Sequence, residues 1–331
     1  MTKLEQMLNH GASVVILGHI NPDGDCMGSC LAMYNYVRKW NPKAYVRLYM
    51  KAFPEKFSYL HGFDQIQTEI QAEEPFDLCI CLDCSDKERL GEFVTYFDSA
   101  KGSLCIDHHI TNSGYAEENV IDAQASSTAE VLYGQFSEEM IDQDIAACLY
   151  TGIIHDSGVF RFSSTSSRTM EIAGKLMNTG INFTKIIDDT FFKKTYFQSQ
   201  ILGRALMESI RFLNGTCIFS VVNQQDMSFY GVEPKDLDGI VDQLRTIAGV
   251  ECAIFMYELD SHIYKVSMRS NDVVDVSKIA SYFGGGGHVR AAGCTMSGSI
   301  YDVVNNLSGH IEKQMISHSS EAAETAAISE N

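Results

Sequence analysis

The apolar positions in the first half of the chain come in short unbroken runs: Ser-Val-Val-Ile-Leu at 13–17, Leu-Cys-Ile-Cys-Leu at 78–82 and Leu-Cys-Ile at 104–106. Runs this short, without polar alternation, suit strands buried on both faces. Between and after them the apolar spacing changes to three and four. Met27, Leu31, Tyr34 and Val37 form one stripe of residues 26–40; Ala129, Leu132 and Tyr133 form one of 126–136; Ile145, Cys148 and Leu149 form one of 142–154. These stripes predict amphipathic helices. Strands at 45–50, 77–83 and 103–107 alternate with helices at 57–60 and 90–97, and further helices are expected at 167–178, 183–192 and 196–213. The alternation predicts an α/β fold, with a mainly parallel sheet carrying helices on both faces.

After the turn pair Asn214-Gly215 the pattern changes. Strands are predicted at 217–222, 252–259 and 264–269, the last two joined by a hairpin turn at Asp260-Ser261-His262, with helices at 237–247 and 276–282. The chain therefore divides into a first domain over 1–192, a helical linker over 193–213 and a smaller α/β domain over 214–316. Residues 317–331 are rich in Ala, Ser and Glu and lack large apolar residues, which predicts a disordered tail. The first ten residues suit an amphipathic helix opening at Thr2, and no apolar segment follows a basic one as in a signal peptide.

Composition narrows the class. With 331 residues, 45% hydrophobic and 21% charged, and no apolar run of membrane-spanning length, the chain is expected to be a cytoplasmic globular protein with no membrane partner. Its ten cysteines lie mostly within apolar segments, so they are expected to pack as small hydrophobes, Cys81-x-x-Cys84 included. The net charge of −18 argues against long duplex nucleic acid, whose binding depends on neutralising many phosphates. A short phosphorylated ligand remains compatible, because local charge can oppose global charge.

The candidate chemistry lies where strands end. The run 13–17 opens onto His19, Asp23 and Asp25, with the turn residues Pro22 and Gly24 between them; the next strands run into Asp83 and Asp107-His108-His109; Asp156 closes a predicted helix at Gly158. In a parallel sheet such strand ends share one edge. Mixed imidazole and carboxylate donors suit Mn²⁺, Fe²⁺, Co²⁺ or Zn²⁺, with Mn²⁺ the expected ion. The four carboxylates Asp23, Asp25, Asp83 and Asp156 repel one another if crowded, which favours two divalent ions over one. His61, His155, His262 and His310 have no comparable setting and are expected to be surface or structural.

Taken together, these residues resemble the DHH phosphoesterase family. His19-x-x-x-Asp23-x-Asp25 is similar to its first motif, Asp83 to its second, Asp107-His108-His109 to its third and Asp156 to its fourth. Residues 284–288 with Ala291-Ala292-Gly293 are similar to the glycine-rich motif of the associated C-terminal domain, so the resemblance spans about residues 13–315. It implies one metal on His19, Asp23 and Asp83 and another on Asp25, Asp83, His108 and Asp156, bridged by Asp83. Asp107 and His109 would orient ligands or contact the phosphate. Substrate would be gripped by Arg269, Ser270, Gly285, Gly286, Gly287 and His288, in a cleft between the domains.

The implied activity is hydrolysis of short single-stranded RNA oligonucleotides to mononucleotides, and of pAp to AMP, by a homodimer. Cyclic dinucleotide (c-di-AMP) or linear pApA hydrolysis is the alternative, and a nucleotide-binding module without turnover a more distant one. Family II pyrophosphatases share the first half but lack this glycine-rich pattern.

Overall fold

The computed structural model describes residues 2–8, 13–72 and 74–329. It contains two compact units, Met1–Lys193 and Lys194–Asn331. The first holds strands β1 (Ser13–Leu17), β2 (Tyr45–Tyr49), β3 (Ile66–Gln67), β4 (Leu78–Leu82), β5 (Ser103–Asp107) and β6 (Glu118–Ile121), in the order β3-β2-β1-β4-β5-β6. All neighbours are parallel. Its helices are α1 (Lys3–Leu8), α2 (Gly24–Trp40), α3 (Val94–Ser99), α4 (Thr128–Tyr133), α5 (Gln143–Asp156), α6 (Ser167–Met177) and α7 (Phe183–Ile187). Strand order reverses between β1 and β4, and this is where open parallel sheets form a ligand crevice.

The unbroken apolar runs have a direct physical cause. Val14, Ile16, Ile80, Leu82, Leu104 and Ile106 pack with Met27, Leu31, Leu132 and Leu149 in one core. Their neighbours Val15, Leu17, Cys79 and Cys81 pack with Leu90, Phe93, Tyr96 and Phe97 in another. Both faces of the central strands are therefore dry. The ten cysteines are buried and unpaired, as core packing requires.

Several predicted elements have different bounds. Residues 57–60 do not form a helix; a single 3₁₀ turn occupies Glu55–Phe57. The stretch 90–97 is split between 3₁₀ turns and α3, because Gly91 takes a left-handed conformation (φ 59°). Edge strands β3 and β6 were not predicted, being short and without regular alternation of burial. Of the predicted N-terminal helix, residues 9 and 10 lie outside the described residues.

The second unit contains α8 (Tyr196–Met207), β7 (Ile210–Phe212), β8 (Cys217–Val222), α9 (Gln224–Tyr230), α10 (Ile240–Arg245), β9 (Cys252–Asp260), β10 (Ile263–Ser270), α11 (Val276–Tyr282), β11 (Gly286–His288), β12 (Ala291–Ser297) and α12 (Ile300–Ser329). The sheet order is β11-β12-β10-β9-β8-β7. Its strands pair antiparallel except β8 with β9. One face packs Ile254, Val266 and Met268 against Ile279, Val303 and Leu307. The other packs Ile218, Ala253 and Phe255 against Ile201, Ala205 and Leu244.

The expected helical linker is thus not a connector. Its helix ends at Met207, residues 210–212 form an edge strand, and Ile201 and Ala205 belong to the second unit's core. Of the expected disordered tail, residues 330 and 331 lie outside the described residues, and α12 is assigned as far as Ser329. Among the described residues no helix is long and apolar enough to cross a membrane.

Helices α2 and α5 approach closely at two glycines. A Cβ on Gly28 would lie 2.4 Å from the carbonyl oxygen of Cys148, and one on Gly152 would lie 2.6 Å from both the Ala129 Cβ and an oxygen of Asp25. Gly28→Ala should therefore destabilise the protein by about 1–3 kcal/mol from overpacking, outweighing the roughly 1 kcal/mol that alanine gains in a helix. Thermal unfolding checks the sign: a raised Tm would show that the helices can separate at no cost.

Candidate metal centre

The C-terminal ends of β1, β4 and β5 supply most of the candidate ligands. After β1 the chain turns into α2, whose N-cap is Asp23; one carboxylate oxygen accepts the amides of Asp25 (3.0 Å) and Cys26 (3.2 Å). Asp25, in the first turn of α2, is fully buried. Its carboxylate accepts the Thr128 amide at 2.6 Å, the Ala129 amide at 3.0 Å and the Ser29 hydroxyl at 3.2 Å. The first amides of a helix have no intrahelical acceptor, so α4 presents donors and a partial positive charge to this carboxylate.

Asp83 follows β4 with φ 56°, a left-handed conformation that Asp tolerates better than most residues. It is 2% exposed and accepts the Thr128 hydroxyl at 3.0 Å. Asp107 ends β5, where it accepts Nδ1 of His109 at 2.8 Å and the side-chain amide of Asn112 at 2.7 Å. Asp156 is the last residue of α5.

These side chains converge. Nε2 of His19 lies 3.5 Å from Asp83. Nε2 of His108 lies 3.0 Å from Asp156, 3.8 Å from Asp83 and 4.0 Å from Asp25. Nδ1 of His109 lies 3.7 Å from Asp83. Among the described residues, three groups have ligand atoms mutually within 4.8 Å: His19 with Cys26 and Asp83; Asp83 with His108 and His109; Asp25 with His108 and Asp156. His108 Nε2 is buried yet makes no directed hydrogen bond to any of the oxygens around it. A buried nitrogen left so, beside three carboxylates, fits a divalent ion better than it fits a hydrogen-bond network. His19 fits as well: its Nδ1 lies 2.8 Å from the Ile20 carbonyl, an acceptor only, so the proton sits there and Nε2 is turned to Asp83.

Charge crowding perturbs nearly every group. Burial, then Asp83 and Asp156, push Asp25 well above the usual carboxylate range. Burial, with the charges of Asp23 and Asp83, lifts Asp156 to about 6 despite His108. Asp83 moves the other way: burial opposes its charge, but His19, His108 and His109 outweigh that and lower its pKa. Burial alone would lower His19, yet Cys26 and Asp83 hold it at about 11. Burial likewise opposes the charge on His108, and Asp156, Asp25 and Asp83 raise it to about 10.

Of the predicted ligands, the structure brings His19, Asp25, Asp83, His108 and Asp156 together. Asp23 is outside the three groups, although Asp83 and His19 are near enough for their charges to shift its pKa. Cys26, Thr128 and Asn112 were not foreseen. His155 is structural: it is pushed down to about 3 by burial, its ring packs on Phe57 and Phe191, and its Nε2 meets the Thr190 hydroxyl at 3.1 Å.

In the second unit, Arg269 and His288 are both register partners of Ala291 on β12. Registered residues project to the same face, so a small side chain separates the guanidinium from the imidazole. Nε of Arg269 is anchored by Asp242 at 3.0 Å. Ser270 does not join them; it is 2% exposed and its hydroxyl donates to the Val274 carbonyl. The glycine run, expected to help grip the substrate, is in part committed to the fold. The amides of Gly284 and Gly285 donate to Ser281 and Ala280, and the next residues form edge strand β11. A Cβ on Gly285 would lie 2.2 Å from the Gly293 carbonyl, and one on Gly287 would lie 2.5 Å from that of Ala291. Close strand packing therefore explains these two glycines.

Comparison with known proteins is consistent along the chain. Residues 13–153 match the DHH family, N-terminal domain, and residues 214–317 match the DHHA1 domain. A Thermus thermophilus protein named bifunctional oligoribonuclease and PAP phosphatase NrnA is 29% identical, over 86% of this chain and 84% of that one. The Bacillus subtilis protein of the same name is 23% identical, over 89% and 93%. The crystal structure of an exopolyphosphatase-related protein from Bacteroides fragilis shares the fold, with a TM-score of 0.86 at 22% identity over 94% of each chain.

With folded pKa values of about 11 and 10, His19 and His108 carry protons at neutral pH in the metal-free protein, yet each must be neutral to ligate. Metal loading at neutral pH should therefore release protons, at least the two carried by these imidazoles. Calorimetric titration in buffers of different ionisation enthalpy checks this: an enthalpy that is the same in all buffers would contradict it.

Proposed function

We propose that the chain, whose residues 13–153 match the DHH family, N-terminal domain, and whose residues 214–317 match the DHHA1 domain, is a two-metal phosphoesterase that hydrolyses short single-stranded RNA oligonucleotides to mononucleotides and pAp to AMP. The observation that carries the reading is the pair of ligand groups meeting at Asp83, next to the group formed by Asp25, His108 and Asp156. The names of the relatives, oligoribonuclease and PAP phosphatase, support the substrate class.

In this reading His19, Asp23 and Asp83 hold one ion and Asp25, Asp83, His108 and Asp156 the other, with Mn²⁺ the expected metal. When bound, such a pair acidifies water and draws charge from the phosphoryl and leaving oxygens. The protein's own groups keep the geometry. Thr128 and Ala129 fix Asp25, Thr128 also restrains Asp83, and Asp107, itself held by Asn112, locks the His109 ring through Nδ1. Asp107, above all, keeps His109 protonated to a higher pH than usual, so the imidazole offers positive charge to a phosphate. Arg269 and His288 grip the substrate, and Ala291 leaves room between them.

The purified protein should release mononucleotide from an RNA dinucleotide, and AMP from pAp, in the presence of Mn²⁺. Asp83→Ala should lose bound metal and lower both rates by roughly 10²–10³-fold or more; full metal content in that variant would refute the shared-ligand role. Arg269→Ala should keep its metal and raise KM roughly tenfold or more, the scale of one charge-assisted hydrogen bond. Steady-state kinetics with metal analysis decides, since loss of metal there would mean that Arg269 supports the centre instead of the substrate.

A further inference from the structure

Cys26 has no role in the ligand assignment above, yet its sulfur stands inside the centre. Cys26 Sγ, a ring nitrogen of His19 and a carboxylate oxygen of Asp83 lie within 4.8 Å of one another. All three residues are buried, with 0%, 3% and 2% exposure. The thiol is seated by the fold. Its backbone amide is bound by the Asp23 cap at 3.2 Å, in the first turn of the 17-residue helix α2. Its sulfur rests against Gly18, where a Cβ would approach Sγ to 2.5 Å. Gly18 is not among the residues with left-handed φ, so room for the sulfur, and not backbone conformation, is what calls for glycine.

We propose that Cys26 is a ligand at the His19 and Asp83 position, an inference that rests on the metal reading above. That position then offers nitrogen, sulfur and oxygen donors and prefers thiophilic divalent ions, Zn²⁺, Cd²⁺ or Co²⁺, over Mn²⁺. The neighbouring group of Asp25, His108 and Asp156 has nitrogen and oxygen donors alone. The two positions therefore differ in metal preference, and a thiophilic ion displaces Mn²⁺ from the first before the second. Ligation converts the thiol to a thiolate, its proton passing to solvent. The N-terminal end of α2 favours the resulting negative charge.

The test is an anaerobic titration of the metal-free full chain with Co²⁺, read by absorption. Wild-type protein should develop visible d–d bands together with an intense near-ultraviolet sulfur-to-cobalt charge-transfer band. Cys26→Ser should keep the d–d bands and lose the charge-transfer band. Cys30→Ser should keep both, which matters because the Cys30 sulfur also lies against Gly18, at 3.1 Å from the same Cβ position. A charge-transfer band that survives in Cys26→Ser, or that is missing from wild-type protein showing d–d bands, overturns the thiolate ligand and leaves the metal reading intact. Absence of d–d bands refutes both. Zinc-edge X-ray absorption of the wild-type protein gives a second measurement that needs no variant: a sulfur neighbour at about 2.3 Å is expected, and a shell of nitrogen and oxygen alone overturns the proposal.

Discussion

Asp25 and Asp83 are two carboxylates withdrawn almost completely from water, and much of the first unit is arranged around making that tolerable. Burying an ionised carboxylate costs several kcal/mol unless donors or opposite charges replace its hydration. Asp25 draws on the opening amides of α4, so that helix must begin at Thr128, where Ser127 caps it through the Glu130 amide. Helix α5 runs close by, and Gly152 leaves the space that the Asp25 oxygen occupies. Asp83 is turned toward the same place by its left-handed backbone.

Donors alone do not balance the site, and the directions of the pKa shifts show where the imbalance sits. Asp83 is surrounded by three imidazoles and stays acidic, whereas Asp25 and Asp156, with fewer cations near them, are pushed up. The centre is thus a region where protons and metal ions compete for the same lone pairs. Without metal, protonated His19 and His108 supply part of the missing positive charge; a divalent ion would supply more of it and displace their protons. This competition explains why His108 Nε2 can be buried without a directed hydrogen bond.

The second unit solves a different problem with small residues. Its antiparallel strands place Arg269 and His288 in one row across Ala291, and the next row on that face joins Ser267, Gly293 and Gly286. Small side chains in adjacent rows clear space beside two groups able to bind phosphate. The glycines look in sequence like a flexible loop, but β12 packs so closely that no side chain fits at 285 or 287.

Much of this was legible from residue order. Strand ends announce themselves where an apolar run stops at a charged residue, so His19, Asp23, Asp25, Asp83 and Asp107-His108-His109 could be picked out, with Asp156 at a helix end, and the family resemblance divided them between two metals. Cys26 could not be singled out, because a cysteine within an apolar helix reads as packing. Thr128 and Asn112 carry no signal beyond common polar side chains. Strand Ile210–Phe212 was hidden because an edge strand of largely exposed residues lacks alternation. Periodicity along the chain reports which side of each element is dry, and that determined the element types, their order and the charged residues at their ends. Which of those residues meet was decided by tertiary structure, since the contact of Asp25 with Thr128 spans 103 residues and depends on strand order and helix approach that no local pattern encodes.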